Sequence, residues 1–386
     1  MTTTATPAID QQTLLTVLTA AVEVGVVPLL WGDPGIGKSA IVRAVAAHQR
    51  VHLETVIGAL RDPTDIGGLP VVTDGGVRLE APAWAKRLHA AATAEPDEDA
   101  PLRPGGLLFL DELSTSAPAT QAAMLSVALD RMVGELQLPH NVAIIAAANP
   151  PENAAGGWDL AAPLANRLMH LHLTADPATW VAGMVTGFPL PAPRTVEVRS
   201  RVRSAAARAE VAGFIRTRPA LLHDLPADAT GTGQAWPSPR TWSMAADILS
   251  VLPREDEDAC LAAASGLVGE GAATELLTWR RSADLPDPAT VLADPAAIAW
   301  AELAPDRVWA LLSGVVSHCV GQRTVKAWRE AWEPLRAAAE AGCADVAAAN
   351  VRLLLTARPD GAGIPSSAKA FAAAVTASGM GTRAAA

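Results

Sequence analysis

A glycine-rich segment between an apolar run and a helical pattern carries the clearest chemical signal in this sequence. It fits the pattern G-x-x-x-x-G-K-[ST], in which glycines let backbone N–H groups surround a phosphate and the helix start adds positive potential. Lys38 can reach the β- and γ-phosphate oxygens of a nucleotide, and Ser39 can ligate Mg²⁺. A plain turn between strand and helix is the alternative. We expect the phosphate site to comprise Gly32, Asp33, Pro34, Gly35, Ile36, Gly37, Lys38 and Ser39.

Two carboxylates follow the apolar run 107–110. Ligands of open α/β sheets bind at the carboxyl ends of the strands, so this pair is expected near the phosphates. We expect Asp111 to hold Mg²⁺ through water and Glu112 to polarise the attacking water as a general base. A strand that simply ends in an acidic turn is the alternative.

An amide ends the next apolar run, 142–148. Asn149 at that strand end could orient the attacking water or contact the γ-phosphate. An Asn-Pro pair is also a common way to begin a loop. Both interpretations of Asn149 fit the sequence equally well.

Two arginines occupy positions from which they could reach a phosphate. Arg167 lies between a helix-like segment, 159–166, and the last apolar run, and an arginine presented there can enter a neighbouring subunit's site. Ser238 as a helix cap and Pro239 at the first helical position place Arg240 on a first helical turn. The alternatives are a salt-bridging arginine at a strand start for Arg167 and an ordinary exposed arginine for Arg240.

Apolar runs alternate with helical patterns up to about residue 176, which predicts an α/β domain with a mostly parallel sheet flanked by helices. Beyond that point the pattern is helical only. We expect a flexible tail at 1–8, an α/β core at 9–176, a helical domain at 177–285 and a helical C-terminal extension at 286–386. Strands are predicted at 27–31, 51–57, 105–112, 142–148 and 168–173, and later helices at 194–217, 239–252, 257–268, 271–283, 305–320, 323–341, 343–357 and 365–378.

Composition excludes several classes of protein. Half of the 386 residues are hydrophobic and 18% are charged, which excludes a disordered chain. The net charge of −10 argues against a general nucleic-acid binder. The first basic side chain is Lys38, so no signal peptide is expected, and no apolar run is long enough to span a bilayer. Three cysteines without paired spacing argue against a disulfide framework and a zinc knuckle. We expect a cytoplasmic protein.

The ordered motifs GDPGIGKS, LLFLDE, AAANP and LANR, followed by SPR, resemble those of AAA+ ATPases. Within that superfamily the chain looks like the MoxR-like branch of the helix-2-insert clade. A Gly-Leu-Pro, a hairpin-like TDGG turn and a helix over 63–88 resemble the insert. Residues 133–142 look like the short hairpin that precedes sensor 1. This resemblance implies a P-loop NTPase core followed by an all-helical lid and the C-terminal extension.

The resemblance also assigns roles to individual residues. In this branch an Asp more usually precedes the arginine finger, and here the residue is Asn166. The motifs match Walker A at Lys38 and Ser39, Walker B at Asp111 and Glu112, sensor 1 at Asn149, the arginine finger at Arg167 and sensor 2 at Arg240.

The activity implied by the resemblance is Mg²⁺-dependent hydrolysis of ATP by a ring, with six subunits as the family expectation. MoxR-like ATPases resemble chaperones that remodel partner proteins, often ones with a von Willebrand A domain, and we expect such a partner. A nucleotide-dependent switch or scaffold with negligible turnover is the alternative. A nucleic-acid motor or restriction GTPase is a third hypothesis, against which the charge of −10 argues. None of these motifs reads the base, so the sequence does not distinguish ATP from GTP.

Overall fold

The computed structural model describes residues 9–97, 100–150, 162–188, 191–227, 231, 233–283, 286 and 288–372. The tail predicted at 1–8 lies outside these residues. The chain divides into two compact units, and the first comprises Met1–Glu197, Asp224–Ile248 and Leu252–Ala273. The second comprises Val198–His223, Leu249–Val251 and Thr274–Ala386. The division predicted at residues 176 and 285 stays a prediction.

Helices and strands alternate in the first half of the chain, and helices alone follow. The first half contains α1 (Gln11–Val24), β1 (Pro28–Trp31), α2 (Lys38–Gln49), β2 (His52–Ile57), α3 (Pro63–Gly67), β3 (Leu69–Thr73), β4 (Gly76–Glu80), α4 (Ala83–Ala92), β5 (Gly106–Asp111), α5 (Pro118–Asp130), β6 (Met132–Val133), β7 (Leu136–Gln137), β8 (Val142–Ala148), α6 (Ala162–Ala165), β9 (Met169–His172) and α7 (Pro177–Thr186). The second half contains α8 (Arg201–Thr217), α9 (Pro239–Leu249), α10 (Glu257–Val268), α11 (Glu270–Ala283), α12 (Pro288–Ala293), α13 (Pro305–Gly321), α14 (Val325–Glu330), α15 (Trp332–Ala338) and α16 (Ala344–Thr356).

A five-stranded parallel sheet forms the centre of the first unit, in the order β2-β5-β8-β1-β9. The predicted α/β core with a parallel sheet is therefore confirmed. Strand β8 lies between β1 and β5, with Ala146 opposite both Leu29 and Leu110. Because all five strands are parallel, their carboxyl ends meet at one edge of the sheet. The residues that follow β1, β5 and β8 consequently share that edge.

The three central strands, β1, β5 and β8, are buried on both faces. Leu108 and Leu110 belong to a core cluster with Leu88 of α4 and Met124 of α5. Leu107, which alternates with them along β5, is also fully buried. Burying a side chain of this size contributes about 1.5–3 kcal/mol. Continuous apolar runs, rather than alternating ones, are what a parallel sheet covered on both faces requires.

Two antiparallel hairpins lie outside the main sheet. Strands β3 and β4 pair with Val72 opposite Val77 and Thr73 opposite Gly76, which confirms the hairpin predicted around the TDGG turn. Strands β6 and β7 pair with Met132 opposite Gln137. The hairpin β3–β4 is exposed along its whole length, whereas the main sheet is covered.

The two segments that directly follow the sheet differ from the prediction. Helix α7 was not predicted, although Asp176 caps it, Pro177 begins it and Gly187 ends it in the left-handed conformation. The helix predicted at 194–217 begins only at Arg201, because the Ser200 side chain accepts a hydrogen bond from the Arg203 N–H and sets the helix start there. Residues 191–200 are irregular.

The second unit has its own helical core. The indole of Trp328 packs edge-to-face on that of Trp332, with ring centroids 5.6 Å apart, and both side chains are fully buried. Trp328 Nε1 donates to the Leu354 carbonyl at 2.8 Å. The helix predicted over 323–341 is broken at Ala331 into α14 and α15. Of the helix predicted at 365–378, Ser366–Phe371 forms a 3-10 helix, and residues 373–378 lie outside the described residues.

Among the helices that the structure describes, none combines the length and the apolar character needed to cross a bilayer.

Candidate functional site

The glycine-rich loop connects β1 to α2 at the carboxyl edge of the sheet. Gly35 and Gly37 have φ angles of +85° and +98°, a left-handed conformation in which a residue with a Cβ is strained. Helix α2 begins at Lys38, and no side chain caps its first turn. The first N–H groups of a helix have no partner within the helix, and with the helix dipole they form an anion site. Loop and helix start together fit a phosphate.

Lys38 is held at the centre of this edge. Its Nζ donates to the carbonyls of Gly32 and Asp33, and to Oδ1 of Asn149 at 2.8 Å. Three acceptors use the three donors of a lysine ammonium group. Burial lowers the pKa of Lys38, and the negative charges of Asp111, Asp33 and Glu112 partly offset that effect.

Ser39 and Asp111 supply oxygen atoms next to the lysine. Ser39 Oγ donates to Asp111 Oδ2 at 3.1 Å, and the Glu112 N–H donates to the other carboxylate oxygen at 2.9 Å. No cluster of three His, Cys, Asp or Glu side chains suited to a metal occurs in the described part of the chain. Mg²⁺ usually takes one or two protein oxygens and completes its shell with water and phosphate. A hydroxyl beside a carboxylate at a phosphate loop fits that ion.

Glu112 follows Asp111 in an uncommon backbone conformation. Its φ of +60° is left-handed, which for a residue other than glycine costs about 1 kcal/mol or more. The Glu112 carbonyl accepts hydrogen bonds from Ser116 Oγ at 2.7 Å and from Thr115 Oγ1 at 3.2 Å. These hydroxyls stabilise the turn that directs Glu112 away from the strand. Sequence reasoning missed them, although three consecutive hydroxyl residues after the acidic pair were a visible signal.

Asn149 is joined to the same turn through its backbone. Ser114 Oγ donates to the Asn149 carbonyl at 2.9 Å and accepts from the Asn149 N–H at 3.0 Å. Ser114 is only 3% exposed, and the Leu113 N–H donates to the Ala147 carbonyl. The loop after β5 is thereby fastened to the end of β8. Sequence reasoning missed Ser114, whose role depends on the adjacency of these two strands.

A buried histidine lies behind the loop. The indole N–H of Trp31, the residue before Gly32, donates to His170 Nδ1 at 2.9 Å. His170 Nε2 lies 3.0 Å from the Ala165 carbonyl, and this pair of partners fits a neutral imidazole that carries its proton on Nε2. Burial lowers the pKa of His170 to about 4.

The two arginines lie on separate segments of the first unit. Arg167 follows α6, and its backbone N–H donates to the Leu164 carbonyl at 3.0 Å. Arg240 is exposed on the first turn of α9. In the described ranges, neither guanidinium forms a hydrogen bond or an ion pair. The structure pairs Lys38 with Asn149 and Ser39 with Asp111, and the two arginines take no part in these pairs.

Comparison with known proteins gives one match in sequence. Residues 28–156 match the model of the family described as "ATPase family associated with various cellular activities (AAA)". This segment is about a third of the chain and contains the loop, the acidic pair and Asn149. The match supports a nucleotide-binding ATPase domain in these residues. No curated protein is significantly similar to the chain.

Solved structures also match the chain. One is the crystal structure of a candidate ATPase from Cytophaga hutchinsonii ATCC 33406, with 15% identity and a TM-score of 0.40. The alignment covers 71% of this chain and 88% of that one.

Proposed function

We propose that this chain, which carries an AAA-type domain, hydrolyses ATP with Mg²⁺. The observation that carries the proposal is the convergence of three strand ends: Asn149 after β8 binds Lys38, and Asp111 at the end of β5 binds Ser39. The adjacent helix start supplies free N–H groups for phosphate. The family match over residues 28–156 supports the same activity.

Each residue at the sheet edge then has a distinct task. The ammonium group of Lys38 neutralises charge on the β- and γ-phosphates. Ser39 and, through water, Asp111 would hold Mg²⁺, and the ion would neutralise the negative charge that develops on the phosphates. Glu112 takes the proton of the attacking water. Asn149 orients that water once its amide oxygen is released from the lysine.

Arg167 and Arg240 complete the proposed mechanism. Arg240 contacts the γ-phosphate of its own subunit from α9. Arg167 enters the site of a neighbouring copy, which requires a head-to-tail assembly that closes into a ring; a hexamer is the proposed form. The exposed guanidinium of Arg240 and the absence of ion pairs at both arginines, within the described ranges, leave them available for phosphate.

The MoxR-like resemblance extends the proposal to a biological role. We infer a chaperone or remodelling ATPase that acts on a partner with a von Willebrand A domain, in the cytoplasm. The division into a core at 9–176, a lid at 177–285 and a C-terminal extension at 286–386 belongs to the same proposal. Capture of such a partner by the full-length Glu112→Gln variant, dependent on ATP, would support it. Recovery of the chain alone would count against it.

Two substitutions and a matched control test the activity. Lys38→Ala should abolish hydrolysis, because the phosphates lose their main cation. Glu112→Gln should bind ATP and not hydrolyse it. Lys86→Ala is the control, since Lys86 is an exposed lysine paired with Glu80, and it should hydrolyse ATP at the wild-type rate.

The same measurements distinguish the proposal from its alternative. ATP turnover that persists in Lys38→Ala or Glu112→Gln would overturn the assigned roles. ATP binding without turnover in the wild-type chain at every protein concentration would instead favour a nucleotide-dependent switch or scaffold.

A further inference from the structure

The segments that carry the two arginines are hydrogen bonded to each other through Asn166. Its Oδ1 accepts from Ser238 Oγ at 2.6 Å, and its Nδ2 donates to the Trp236 carbonyl at 3.3 Å. Asn166 is 7% exposed and Ser238 4% exposed. Arg167 is the next residue after Asn166, and Arg240 lies two residues after Ser238. Two buried hydrogen bonds therefore join the segment that carries Arg167 to the segment that carries Arg240.

The partners of Asn166 also form the start of α9. The Ser238 N–H donates to Thr241 Oγ1 at 2.8 Å, and the Thr241 N–H donates to Ser238 Oγ at 3.2 Å. Thr241 Oγ1 in turn lies 3.1 Å from the Trp236 carbonyl. This reciprocal cap fixes the first turn of the helix. Arg240 lies on that turn. The position of its backbone therefore depends on Ser238, the residue that Asn166 binds.

The other side of Asn166 is attached to the sheet. The Ala165 carbonyl binds Nε2 of His170 at 3.0 Å, and His170 accepts from Trp31 at the end of β1. The turn at Asn166 and Arg167 is thus held between β9 and the cap of α9. A shift of this turn would therefore also disturb its hydrogen bonds to His170 of β9 and to the cap of α9.

The chemistry of the contacts explains why an amide suits this position. The side chain at position 166 must accept a hydrogen bond from the Ser238 hydroxyl and donate one to the Trp236 carbonyl. An aspartate supplies only acceptors when ionised, and its buried charge would lie against a carbonyl oxygen. An amide therefore matches the groups around Asn166 better than a carboxylate would.

We propose that Asn166 is a positioning residue that couples Arg167 to Arg240. The arginine offered to a neighbouring copy and the arginine that reads the γ-phosphate of its own subunit then move together, so that each site reports its nucleotide to the next. This inference rests on the proposed ATPase function. It concerns Asn166, whose side chain binds Ser238 and Trp236 rather than a phosphate, and so it is separable from catalysis by Lys38 or Glu112.

Nucleotide affinity tests whether Asn166 positions Arg240. The dissociation constants of a non-hydrolysable ATP analogue and of ADP are measured for the wild type, Asn166→Ala, Arg240→Ala and the double variant. Arg240→Ala and Asn166→Ala should each weaken the analogue relative to ADP, by at least about five-fold. The double variant should be no weaker than Arg240→Ala, because Asn166 acts through that arginine. Additive losses, or an unchanged ratio in Asn166→Ala, would overturn the proposal.

Variants of Ser238 keep the test valid if Asn166→Ala fails to fold. Ser238→Ala removes the hydroxyl that Asn166 accepts and should reproduce the loss, whereas Ser238→Thr retains a hydroxyl and should restore binding of the analogue. Ser243→Ala is the matched control on the same helix, since the exposed hydroxyl of Ser243 donates to the Pro239 carbonyl within that helix. A loss in Ser243→Ala equal to that in Ser238→Ala would contradict the coupling.

Mixtures of two variant subunits test whether Asn166 also positions Arg167. Subunits with Glu112→Gln supply Arg167 but cannot hydrolyse, and subunits with Arg167→Ala can hydrolyse but supply no arginine. Mixing them should restore turnover, and adding Asn166→Ala to the Glu112→Gln subunit should reduce the restored rate by at least about five-fold. Undiminished restoration would overturn the inference. No turnover in the wild type would instead overturn the proposed function, and the binding experiment would still decide the coupling.

Discussion

Oδ1 of Asn149 lies 2.8 Å from Nζ of Lys38, although the two residues are 111 positions apart in the chain. The contact exists because β8 is the neighbour of β1, so that the end of one strand faces the loop that follows the other. It joins the proposed water-orienting amide to the proposed phosphate-binding ammonium. A nucleotide that draws Lys38 toward its phosphates would therefore also release Asn149.

Ser114→Ala should lower both stability and turnover. The change leaves the partly buried N–H and carbonyl of Asn149 without the hydroxyl that binds both, which costs about 1 kcal/mol, the lower end of the penalty for unpaired buried groups. A displaced Asn149 should lower kcat by about ten-fold or more, while KM for ATP changes less. Urea unfolding and steady-state kinetics measure the two effects.

The control for Ser114 is Ser126→Ala, at an exposed serine that bonds to Asp130 one turn later on α5. It should match the wild type in both measurements. Wild-type kcat in Ser114→Ala, with its stability reduced, would show that the hydroxyl is structural only.

Asp111→Asn should raise the Mg²⁺ concentration needed for half-maximal hydrolysis by about 10–100-fold. The substitution keeps the size of the side chain and removes the charge that attracts the ion next to Ser39. A titration of Mg²⁺ at saturating ATP measures the change, and Asp130→Asn on the exposed end of α5 is the matched control. An unchanged Mg²⁺ requirement in Asp111→Asn would exclude the proposed ligand role.

Arg167→Ala should reduce turnover by about 10³-fold, the lower end of the effect of an arginine finger in GTPases, without a comparable loss of ATP affinity. Specific activity of the wild type should rise with protein concentration, because each site is completed by a neighbour. Kinetics over a dilution series check both statements. Constant specific activity from the most dilute to the most concentrated sample would place the complete site within one subunit.

The buried His170 should make the protein less stable to acid. Its pKa is lowered from 6.5 to about 4 in the folded chain, so between these values the unfolded chain binds the proton more readily. The stabilisation is therefore complete above pH 6.5 and is lost as the pH falls toward 4, by about 3 kcal/mol in total. Urea midpoints measured from pH 4 to pH 7.5 should fall over that window.

A variant that cannot titrate identifies the histidine responsible. His170→Asn should be less stable at pH 7.5, because Trp31 and Ala165 lose their partner, but its midpoint should depend less on pH. His172→Gln, at the exposed end of β9, should retain the wild-type dependence. Equal pH dependence in His170→Asn and the wild type would contradict the assignment.

Much of the fold could be predicted from local pattern. Apolar runs predicted the strands β1, β5, β8 and β9, a β-like segment predicted β2, and the alternation with helical segments predicted a parallel sheet. Helix α7 was missed, although Asp176 and Pro177 provide a cap and a first turn, because no charged face marks it as a helix. The start of α8 was placed too early, because the cap at Ser200 outweighs the helical composition of the residues before it.

The sequence by itself determined which residue types stand at the strand ends and which backbone conformations the loop can adopt, since both depend on neighbours within a few positions. Gly35 and Gly37 allow left-handed turns whatever the rest of the chain does. Only the tertiary structure decided that β8 lies between β1 and β5, and hence that Asn149 meets Lys38 and Ser114. The same holds for Asn166, whose partners lie 70 or more positions away. Such contacts depend on strand order and packing over the whole unit, and no local pattern encodes them.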